Sequence, residues 1–508
     1  MIASKVLTLE VLAKIAQNLR EQGQKVVLCH GAFDLVHIGH IRHLRRARQE
    51  GDVLMVTVTA DRYINKGPGR PVYNEALRAE NLASLVWVDY VAVSDEPTAI
   101  NAIDMLQPNV YVKGGDYRNI NDDVTGNITK EIHAVESHGG KVVFTDELTF
   151  SSSSLLNEHF GVFSEETKQY LTVFREKYSA ETVIEQIKAL KKLRVLVIGD
   201  AIIDEYCYTN PLGQTGKGNV LSVKYESQEY FAGGATAVAN HIAGFAGEVS
   251  LVTGLGSRGE NHESFIRSRL KKNIDPVFFY FPDAPTVLKR RFVDPDMAKL
   301  FEVYFFSEEP ILGDMEKRIC QWLKEHARSY DMVVVPDFGN GFISEQIVNV
   351  IVENAHFLVV NTQINSGNRG YHVINRYSRM DAFSLNEPEL RLAAHNRHAP
   401  LEEVAREIGT RLNCQFMAIT RGPQGATVIN RKTGETTTIP IFSTKVLDRI
   451  GAGDAFLSLW SICLAGGFPA ELAGFVASVA AALDVLIICN REPVNPVSMF
   501  KYITTLLK

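Results

Sequence analysis

Residues 25–40 read Lys25-Val-Val-Leu-Cys-His-Gly-Ala-Phe-Asp-Leu-Val-His-Ile-Gly-His40. The apolar run Lys25–Cys29 predicts a buried strand, and the residues from Ile41 to about Glu50 predict a helix after the loop. Similar apolar runs, separated by helical segments, recur at Val53–Thr59, Tyr90–Val93, Val110–Lys113 and Lys141–Phe144. Because continuous apolar strands separated by helices are typical of parallel sheets covered on both faces, the pattern predicts an α/β fold.

The strand pattern also indicates how the chain is divided into domains. It stops near Phe160, the stretch Ser164–Lys192 is charged and helical, and strands resume at Arg194-Val-Leu-Val-Ile-Gly-Asp200. A chain of 508 residues is too long for one hydrophobic core. We therefore predict two α/β domains, over residues 1–160 and 193–508, joined by a helical linker at 161–192.

Composition excludes several classes of protein. The net charge of -6 does not favour binding to nucleic acid or to an anionic membrane. The apolar run Leu472–Ile488 is short and contains Asp484, so we predict a buried helix rather than a membrane span. Six scattered cysteines without a CxxC pair, and an N-terminus without a signal pattern, predict a cytoplasmic protein with no dedicated metal site.

The loop after the first strand carries a candidate phosphate site. Gly31 would permit a tight turn, and Gly39, between His37 and His40, would let a phosphate approach the backbone at a helix N-terminus. Two imidazoles there can donate hydrogen bonds to a phosphate that gains negative charge in its transition state. Helix-capping or core histidines, and metal binding by the pair, are the alternatives.

Residues 24–160 resemble the nucleotidyltransferase superfamily marked by HxGH. The resemblance implies a Rossmann-like α/β domain and catalytic roles for His37, His40 and Lys66. It further implies that nucleotide or phosphate is bound by residues of the loop, of the Lys113 segment and of a late serine turn. These are His30, Gly31, Phe33, Asp34, Gly39, Lys113, Gly115, Asp116, Ser151, Ser152 and Ser153.

Three further segments narrow this resemblance. Val112-Lys-Gly-Gly-Asp-Tyr117, Arg70-Pro71 and Arg78 are similar to segments of nucleotidyltransferases that act on heptose 1-phosphate. Thr149-Phe150 departs from that group, which often has Gly before the serines. This departure would alter the loop that holds the β- and γ-phosphates.

The C-terminal half carries a second phosphate site at Asp448-Arg-Ile-Gly-Ala-Gly-Asp454, before a predicted helix Ala455–Leu464. Successive amides at Gly451, Ala452 and Gly453 would form a nest for a transferred γ-phosphate. Asp454 can accept the proton of an attacking sugar hydroxyl. The alternative is a glycine turn in which Asp454 caps the helix.

Other segments agree with a kinase. Sugar contacts are predicted for Asp200, Asp204, Gly233, Gly234 and Asn240. Asn386 and Glu389 suit a magnesium-phosphate network, and Thr420, Gly422 and Gly425 suit a nucleotide pocket.

Residues 193–506 resemble the ribokinase family, and Gly199, Asp200, Asp204 and Tyr206 are similar to its heptose 7-phosphate kinase branch. The resemblance implies a small β lid over the α/β domain. In known bacterial enzymes that kinase is fused to a heptose 1-phosphate nucleotidyltransferase; here the two modules stand in the reverse order. The kinase half departs from its family at Asn340, at Asn361-Thr-Gln363 and at Ile450.

Together these resemblances imply a bifunctional enzyme. The kinase would phosphorylate the anomeric oxygen of a sugar phosphate, and the transferase would couple the 1-phosphate to a nucleotide, releasing pyrophosphate. ATP, a nucleoside triphosphate and a sugar phosphate would be the ligands, with Mg²⁺ as cofactor, and the lid around Thr209–Tyr230 would pair two subunits. The rival interpretation keeps the transferase and makes the C-terminal half a non-catalytic sugar-binding or dimerising module. A dehydrogenase is disfavoured, since no GxGxxG opens a helix after a strand.

Overall fold

The structure is a computed structural model that describes residues 4–64, 70–115, 127–145, 163–216, 218–260, 262–307, 309, 311–368, 370–443 and 445–508. The chain divides into two compact units. The first comprises Met1–Glu165 with Phe500–Lys508, and the second comprises Glu166–Met499.

The described part of the first unit contains a parallel sheet of six strands, in the order β1-β4-β3-β2-β5-β6. The strands are β1 (Val6–Leu7), β2 (Val26–Gly31), β3 (Val53–Thr59), β4 (Tyr90–Ser94), β5 (Val110–Gly114) and β6 (Lys141–Thr145). The helices are α1 (Leu9–Glu21), α2 (Ile38–Arg48), α3 (Glu75–Ala83), α4 (Ile100–Leu106) and α5 (Ile128–Ser137).

Helices cover both faces of this sheet. Along β2, Val26 and Leu28 pack with Leu12 of α1, whereas Val27 and Cys29 belong to a second core that contains residues of α2 and α3. Alternate residues of one strand thus face two apolar layers, which explains the unbroken apolar run. The predicted Rossmann-like α/β arrangement is confirmed.

The second unit is built on a nine-stranded sheet in the order β11-β10-β7-β14-β15-β16-β17-β18-β19. The strands are β7 (Arg194–Ile198), β10 (Glu248–Gly256), β11 (Ile274–Phe281), β14 (Met332–Asp337), β15 (Leu358–Thr362), β16 (Ala382–Asn386), β17 (Phe416–Thr420), β18 (Ala426–Asn430) and β19 (Thr436–Ile439). All neighbours pair parallel except β17 with β18 and β18 with β19, which are antiparallel.

Helices of this unit flank the sheet. They are α6 (Glu165–Lys177), α7 (Ala180–Ala189), α8 (Ala235–Ala243), α9 (Glu263–Arg269), α10 (Asp314–His326), α11 (Glu345–Asn354), α12 (Glu387–Ala393), α13 (Leu401–Arg411), α14 (Ala452–Ala465) and α15 (Ala470–Asp484). A last helix, α16 (Pro496–Leu506), ends the chain. The run containing Asp484 forms most of α15, which is buried along nearly all of its length. Among the described residues, none of the helices has the length and apolarity that crossing a membrane requires.

A separate four-stranded sheet forms the lid. Its order is β13-β12-β8-β9, with β8 (Ala201–Gln214), β9 (Leu221–Gly234), β12 (Val287–Val293) and β13 (Lys299–Phe305). The predicted lid segment is only the distal part of the β8–β9 hairpin, and the sheet draws two more strands from residues 287–305.

The charged helical stretch before β7 packs on the second unit. Phe174 of α6 is buried, and its ring centroid lies 4.2 Å from that of Phe475 in α15. Lys177 Nζ lies 3.0 Å from Glu471 Oε2. An apolar stripe hidden among charged residues therefore attaches α6 to the kinase-like half.

Candidate active sites

The backbone fixes the tautomers of His37 and His40, the two histidines of the HxGH motif. His37 caps α2, and its Nδ1 accepts a hydrogen bond from the amide of Gly39 at 3.1 Å. The amide of His37 in turn points at Nδ1 of His40, at 3.4 Å. With Nδ1 accepting, each neutral ring carries its proton on Nε2. Burial lowers the pKa of His37, so this ring is neutral at pH 7.

The pair presents two N–H donors side by side, because the ring centroids are only 4.1 Å apart. The capping role, raised from sequence as an alternative, is thus present and compatible with donation, since His37 caps the helix through Nδ1 and not through Nε2.

The structure corrects the predicted start of the helix and adds a detail to the turn. The helix starts at Ile38, not Ile41, so Gly39 and His40 lie in its first turn. Gly31 ends β2 without a positive φ, and the left-handed conformation falls on Phe33, with φ +48°. The edge of the Phe33 ring packs against His40, at 5.4 Å between centroids.

His30 and Asp34 support the loop from below. The His30 ring contacts the hydroxyls of Thr57 at 2.9 Å and Thr59 at 3.2 Å, and burial lowers its pKa to about 3. Asp34 accepts the amide of Val72 at 2.6 Å and lies 4.0 Å from the Arg70 guanidinium. Both side chains are engaged inside the unit, as positioning groups would be.

Arg78 has a comparable structural position. It is fully buried, donates to the carbonyl oxygens of Thr59 and Tyr73 and to that of Ala32, and pairs with Asp61 at 2.6 Å. These contacts hold the loop after β2 against α3.

Lys113 is placed at the end of β5. Its ammonium lies 2.7 Å from Glu131 Oε2 and 2.9 Å from the Tyr111 hydroxyl. Gly115 follows β5 directly. The remaining predicted residues of this site lie outside the described residues: Lys66, Asp116, Ser151, Ser152 and Ser153, together with the departure at Thr149-Phe150.

The second unit contains a helix start with open amides. α14 begins at Ala452 rather than Ala455, with Gly451 as N-cap at φ +104°. Its first internal hydrogen bond runs from Ala455 N to Gly451 O, so the amides of residues 452–454 have no hydrogen-bond partner among the described residues. A Cβ on Gly453 would meet no atom within 4 Å, which leaves room above the amides. Such a nest suits a phosphate.

Asp454 is the third residue of α14. Burial, with the nearby Asp204 and Glu389, raises the pKa of Asp454 to about 7, whereas Lys289 opposes the shift. A carboxylate with this pKa, in the same helical turn as the open amides, has the properties of a general base.

The predicted sugar residues cluster at the base of the lid. Asp204 forms a buried ion pair with Arg291, and a Cβ on Gly233 would lie 2.0 Å from Asp204 Oδ2. Gly234 has φ +60°, and its Cβ would lie 2.4 Å from the Asp200 carbonyl oxygen. Both glycines are required because no side chain fits there.

Asp200 faces the segment after β14. It accepts the amides of Asn340 and Phe342, each at 3.3 Å, and burial with the nearby Asp337 raises its pKa to about 6. Asn240 lies elsewhere: its amide group bonds the carbonyl of Arg269 at 3.1 Å and the N–H of Lys271 at 3.0 Å. These two contacts give Asn240 a structural role.

Asn386 and Glu389 form a capping box at α12. Each side chain accepts the other's amide, at 2.8 and 2.9 Å, and Glu389 also accepts the amide of Ile364 at 3.2 Å. Burial raises the pKa of Glu389 to about 7. Each oxygen of the Glu389 carboxylate thus accepts one amide hydrogen bond, and these bonds fix its orientation.

A cleft of about 910 Å³ brings Asn386, Thr420 and Gly422 together. Arg391, His395, Arg397 and Arg421 also line it, giving a basic wall that suits phosphate oxygens. Gly425 is not among its lining residues: it has φ +79°, and its Cβ would lie 2.0 Å from the Ile439 carbonyl, so it serves the turn into β18.

The structure shows the surroundings of Asn340, Asn361 and Ile450, where the sequence departs from the ribokinase family. Asn340 Nδ2 is buried without a partner among the described residues, and Asn361 Nδ2 donates to the Ser384 carbonyl at 2.7 Å. Ile450 packs against an apolar cluster that contains Tyr206 and Cys489. None of them displaces Asp454.

Sequence reasoning missed two buried charged residues near this site. Lys289 lies in the strand run Val-Leu-Lys-Arg-Arg-Phe-Val, where alternation would have placed it on one face with Arg291. Asp484 was noted only as an argument against a membrane span. Both are side chains of a type that is seldom buried without a function or a partner.

Comparison with known proteins defines the class. Residues 192–487, more than half of the chain, match the pfkB family carbohydrate kinases, and residues 28–185 match the cytidylyltransferase-like family. The chain belongs to the pfkB family and joins this domain to a cytidylyltransferase-like domain, which indicates a sugar kinase and a nucleotidyltransferase in one protein. Phosphofructokinase-2 from Escherichia coli in complex with substrates and products shares the fold, with 14% identity, a TM-score of 0.51, and coverage of 62% of this chain and 100% of that one.

Among individual relatives, proteins named bifunctional protein HldE are similar to part of the chain. That of Geobacter sulfurreducens is 43% identical over 141 residues, 27% of each chain. That of Methylobacillus flagellatus is 42% identical over 154 residues, 30% of each chain. The chain spans about a third or less of the length of the curated relatives it matches.

Proposed function

We propose that this protein catalyses two consecutive steps in the synthesis of a nucleotide-activated heptose. The kinase unit phosphorylates the anomeric oxygen of heptose 7-phosphate with ATP, and the transferase unit couples the resulting 1-phosphate to a nucleotidyl group. The observation that carries the proposal is the nest at Gly451–Asp454, where open amides and a carboxylate of pKa about 7 share one helical turn. The similarity to proteins named HldE supports the pairing with a transferase.

In the kinase step, the anomeric oxygen of the sugar attacks the γ-phosphorus of ATP while Asp454 takes the proton of that hydroxyl. The bond to ADP breaks, and the amides of residues 452–454 stabilise the charge on the transferred group. Asp204, held by Arg291 over Gly233, orients the sugar.

In the transferase step, an oxygen of the sugar 1-phosphate attacks the α-phosphorus of a nucleoside triphosphate, and pyrophosphate leaves. The Nε2–H groups of His37 and His40 donate to the α-phosphate as its charge grows. His30 and Asp34 hold the loop that presents this pair.

We propose that Mg²⁺ binds to both units together with the nucleotides. When bound, it neutralises phosphate charge. It would be held by phosphates and water near the oriented carboxylate of Glu389, and the cleft of Asn386, Thr420 and Gly422 would hold the ATP.

We further propose a homodimer formed through the lid. The distal hairpin of β8 and β9 exposes Leu212, Val220, Leu221 and Tyr225, and pairing would cover them. Light scattering at micromolar concentration tests this, and a monomer would contradict it. We also infer a cytoplasmic location, which the six unpaired, buried cysteines support.

One observation favours a second candidate, a non-catalytic kinase-like module. Ile450 directly precedes the nest, and the side-chain nitrogen of Asn340 is buried without a partner among the described residues. Separate assays of phosphate transfer to heptose 7-phosphate and of nucleotide transfer to heptose 1-phosphate decide between them. Absence of the first activity together with presence of the second would favour the module.

A further inference from the structure

A buried lysine on the lid sheet has no direct ion-pair partner among the described residues. Lys289, on β12, is 6% exposed. In the part of the chain that the structure describes, its ammonium makes no hydrogen bond or ion pair. It lies 5.5 Å from the ring centroid of Tyr304 and 5.8 Å from that of Phe338. Burying an ammonium is costly unless an anion accompanies it.

Strand pairing puts Lys289 in the sugar site. Its register partners are Asp204 on β8 and Tyr304 on β13, so the three side chains share one face of the sheet. Arg291, two residues on, lies on the same face and pairs with Asp204 and with Glu302, at 3.0 Å for the latter. Arg291 thus forms the direct ion pairs with these two carboxylates, and Lys289 forms none within the described residues.

Lys289 and the candidate base, Asp454, have a charged neighbour in common. Asp204 is the register partner of Lys289 on the adjacent strand, and its charge acts on both side chains. The Lys289 ammonium is also near enough to Asp454 to oppose the rise in the pKa of that carboxyl. An acceptor whose hydroxyl reaches Asp454 therefore also lies near Lys289.

A free sugar has no charged group that could pair with a buried ammonium, whereas a sugar phosphate brings an anion that can. We propose that Lys289 binds the phosphate that the acceptor already carries, and so selects a phosphorylated sugar over a free one. This inference rests on the proposed kinase function and assigns its acceptor specificity to one side chain.

The test compares two acceptors, heptose 7-phosphate and the unphosphorylated heptose, in the full-length parent and in Lys289→Met. The loss of a charged contact should lower kcat/KM for the phosphorylated sugar on the order of tenfold to a hundredfold, mainly through KM. The rate with the free sugar should change little. Lys289→Arg should recover part of the loss, and Lys317→Met, which removes an exposed lysine of α10, should match the parent.

Two results would overturn the inference. An equal loss with both acceptors, expressed in kcat, would mean that Lys289 acts on the transferred phosphoryl group or on Asp454. Unchanged kinetics with heptose 7-phosphate would mean that it makes no contact. Thermal unfolding of Lys289→Met should show that the fold is intact, and Lys289→Arg repeats the comparison if it is not.

Calorimetric titration with heptose 7-phosphate separates this inference from the proposed function. If the parent phosphorylates neither acceptor, the kinase proposal fails, yet weaker binding of the sugar phosphate by Lys289→Met would still support the contact. Equal affinity of parent and variant would overturn it.

Discussion

Oδ2 of Asp484 lies 2.7 Å from the position that a Cβ atom would take on Gly451. Gly451 also has φ +104°, a conformation that only glycine adopts without strain. The N-cap of α14 is therefore fixed by the absence of a side chain.

We expect Gly451→Ala to reduce sugar phosphorylation by about a hundredfold, because a methyl group would displace the open amides by a fraction of an ångström or more. Steady-state kinase assays measure this. Gly453→Ala is the matched control for stability, since a Cβ there meets no protein atom within 4 Å. A parent-like rate for Gly451→Ala would show that the nest does not bind the transferred phosphate.

Asp454→Asn should abolish phosphate transfer and spare nucleotide transfer. An amide cannot accept the hydroxyl proton, yet it occupies nearly the same volume. Since the pKa of Asp454 is about 7, the parent's kinase rate should rise with pH between about 6 and 8 as the carboxylate forms. A variant that retains the parent rate would leave Asp454 as a structural residue.

His37→Ala and His40→Ala should each lower nucleotide transfer on the order of a hundredfold, by analogy with the loss of one oxyanion donor. Burial keeps His37 neutral, so its protonation should not alter the rate from pH 7 upward. His138→Ala removes a histidine that pairs with Asp104 away from the loop, and should match the parent. Retained activity in both site variants would assign the pair a capping role alone.

The sequence predicted the architecture well because it depends on long periodic patterns. The strand at Lys25–Cys29 and the buried helix around Asp484 both followed from unbroken apolar runs. The starts of α2 and α14 were each placed three residues late, since His37 and Gly451 cap them in ways that the familiar capping residues do not signal.

Side-chain partners could not be read from the sequence in the same way. Asn240 was predicted to contact the sugar because it lies on the small-residue helix after Gly233-Gly234, but its side chain bonds the backbone of residues 269 and 271. Lys289 became visible only when strand pairing set it beside Asp204. Such contacts join segments far apart in the chain, and local patterns do not encode them.

The packing of α6 predicts where the kinase unit begins. A fragment of residues 163–508 should be more stable than one of residues 193–508, which lacks the buried Phe174 and its contact with Phe475. In the full chain, Phe174→Ala should destabilise this unit by about 3–5 kcal/mol. Thermal unfolding of the fragments and the variant measures this, with Val173→Ala as the exposed neighbour control. Equal midpoints for the two fragments would make α6 a linker after all.

Asp484 should lower the stability of the kinase unit at neutral pH. Its side chain is fully buried, and neither carboxylate oxygen has a hydrogen-bond partner among the described residues. Nε2 of His241 is 3.7 Å away, and that ring is neutral because burial lowers its pKa to about 3. Burial, with Asp454 and Asp448 nearby, raises the pKa of Asp484 well above its usual value.

The raised pKa of Asp484 determines how the free energy of unfolding changes with pH. An acid whose pKa is higher in the folded state than in the unfolded chain costs nothing below the unfolded pKa, about 3.9 for Asp, and lowers the free energy of unfolding progressively as the pH rises toward the folded value. Asp484→Leu removes this cost, so we expect stabilisation by about 1–3 kcal/mol at pH 8 and a smaller gain at pH 5. Thermal midpoints of parent and variant at the two pH values, without nucleotide, give the comparison. A variant that is less stable than the parent at pH 8 would show that the carboxylate has a partner that stabilises its charged form.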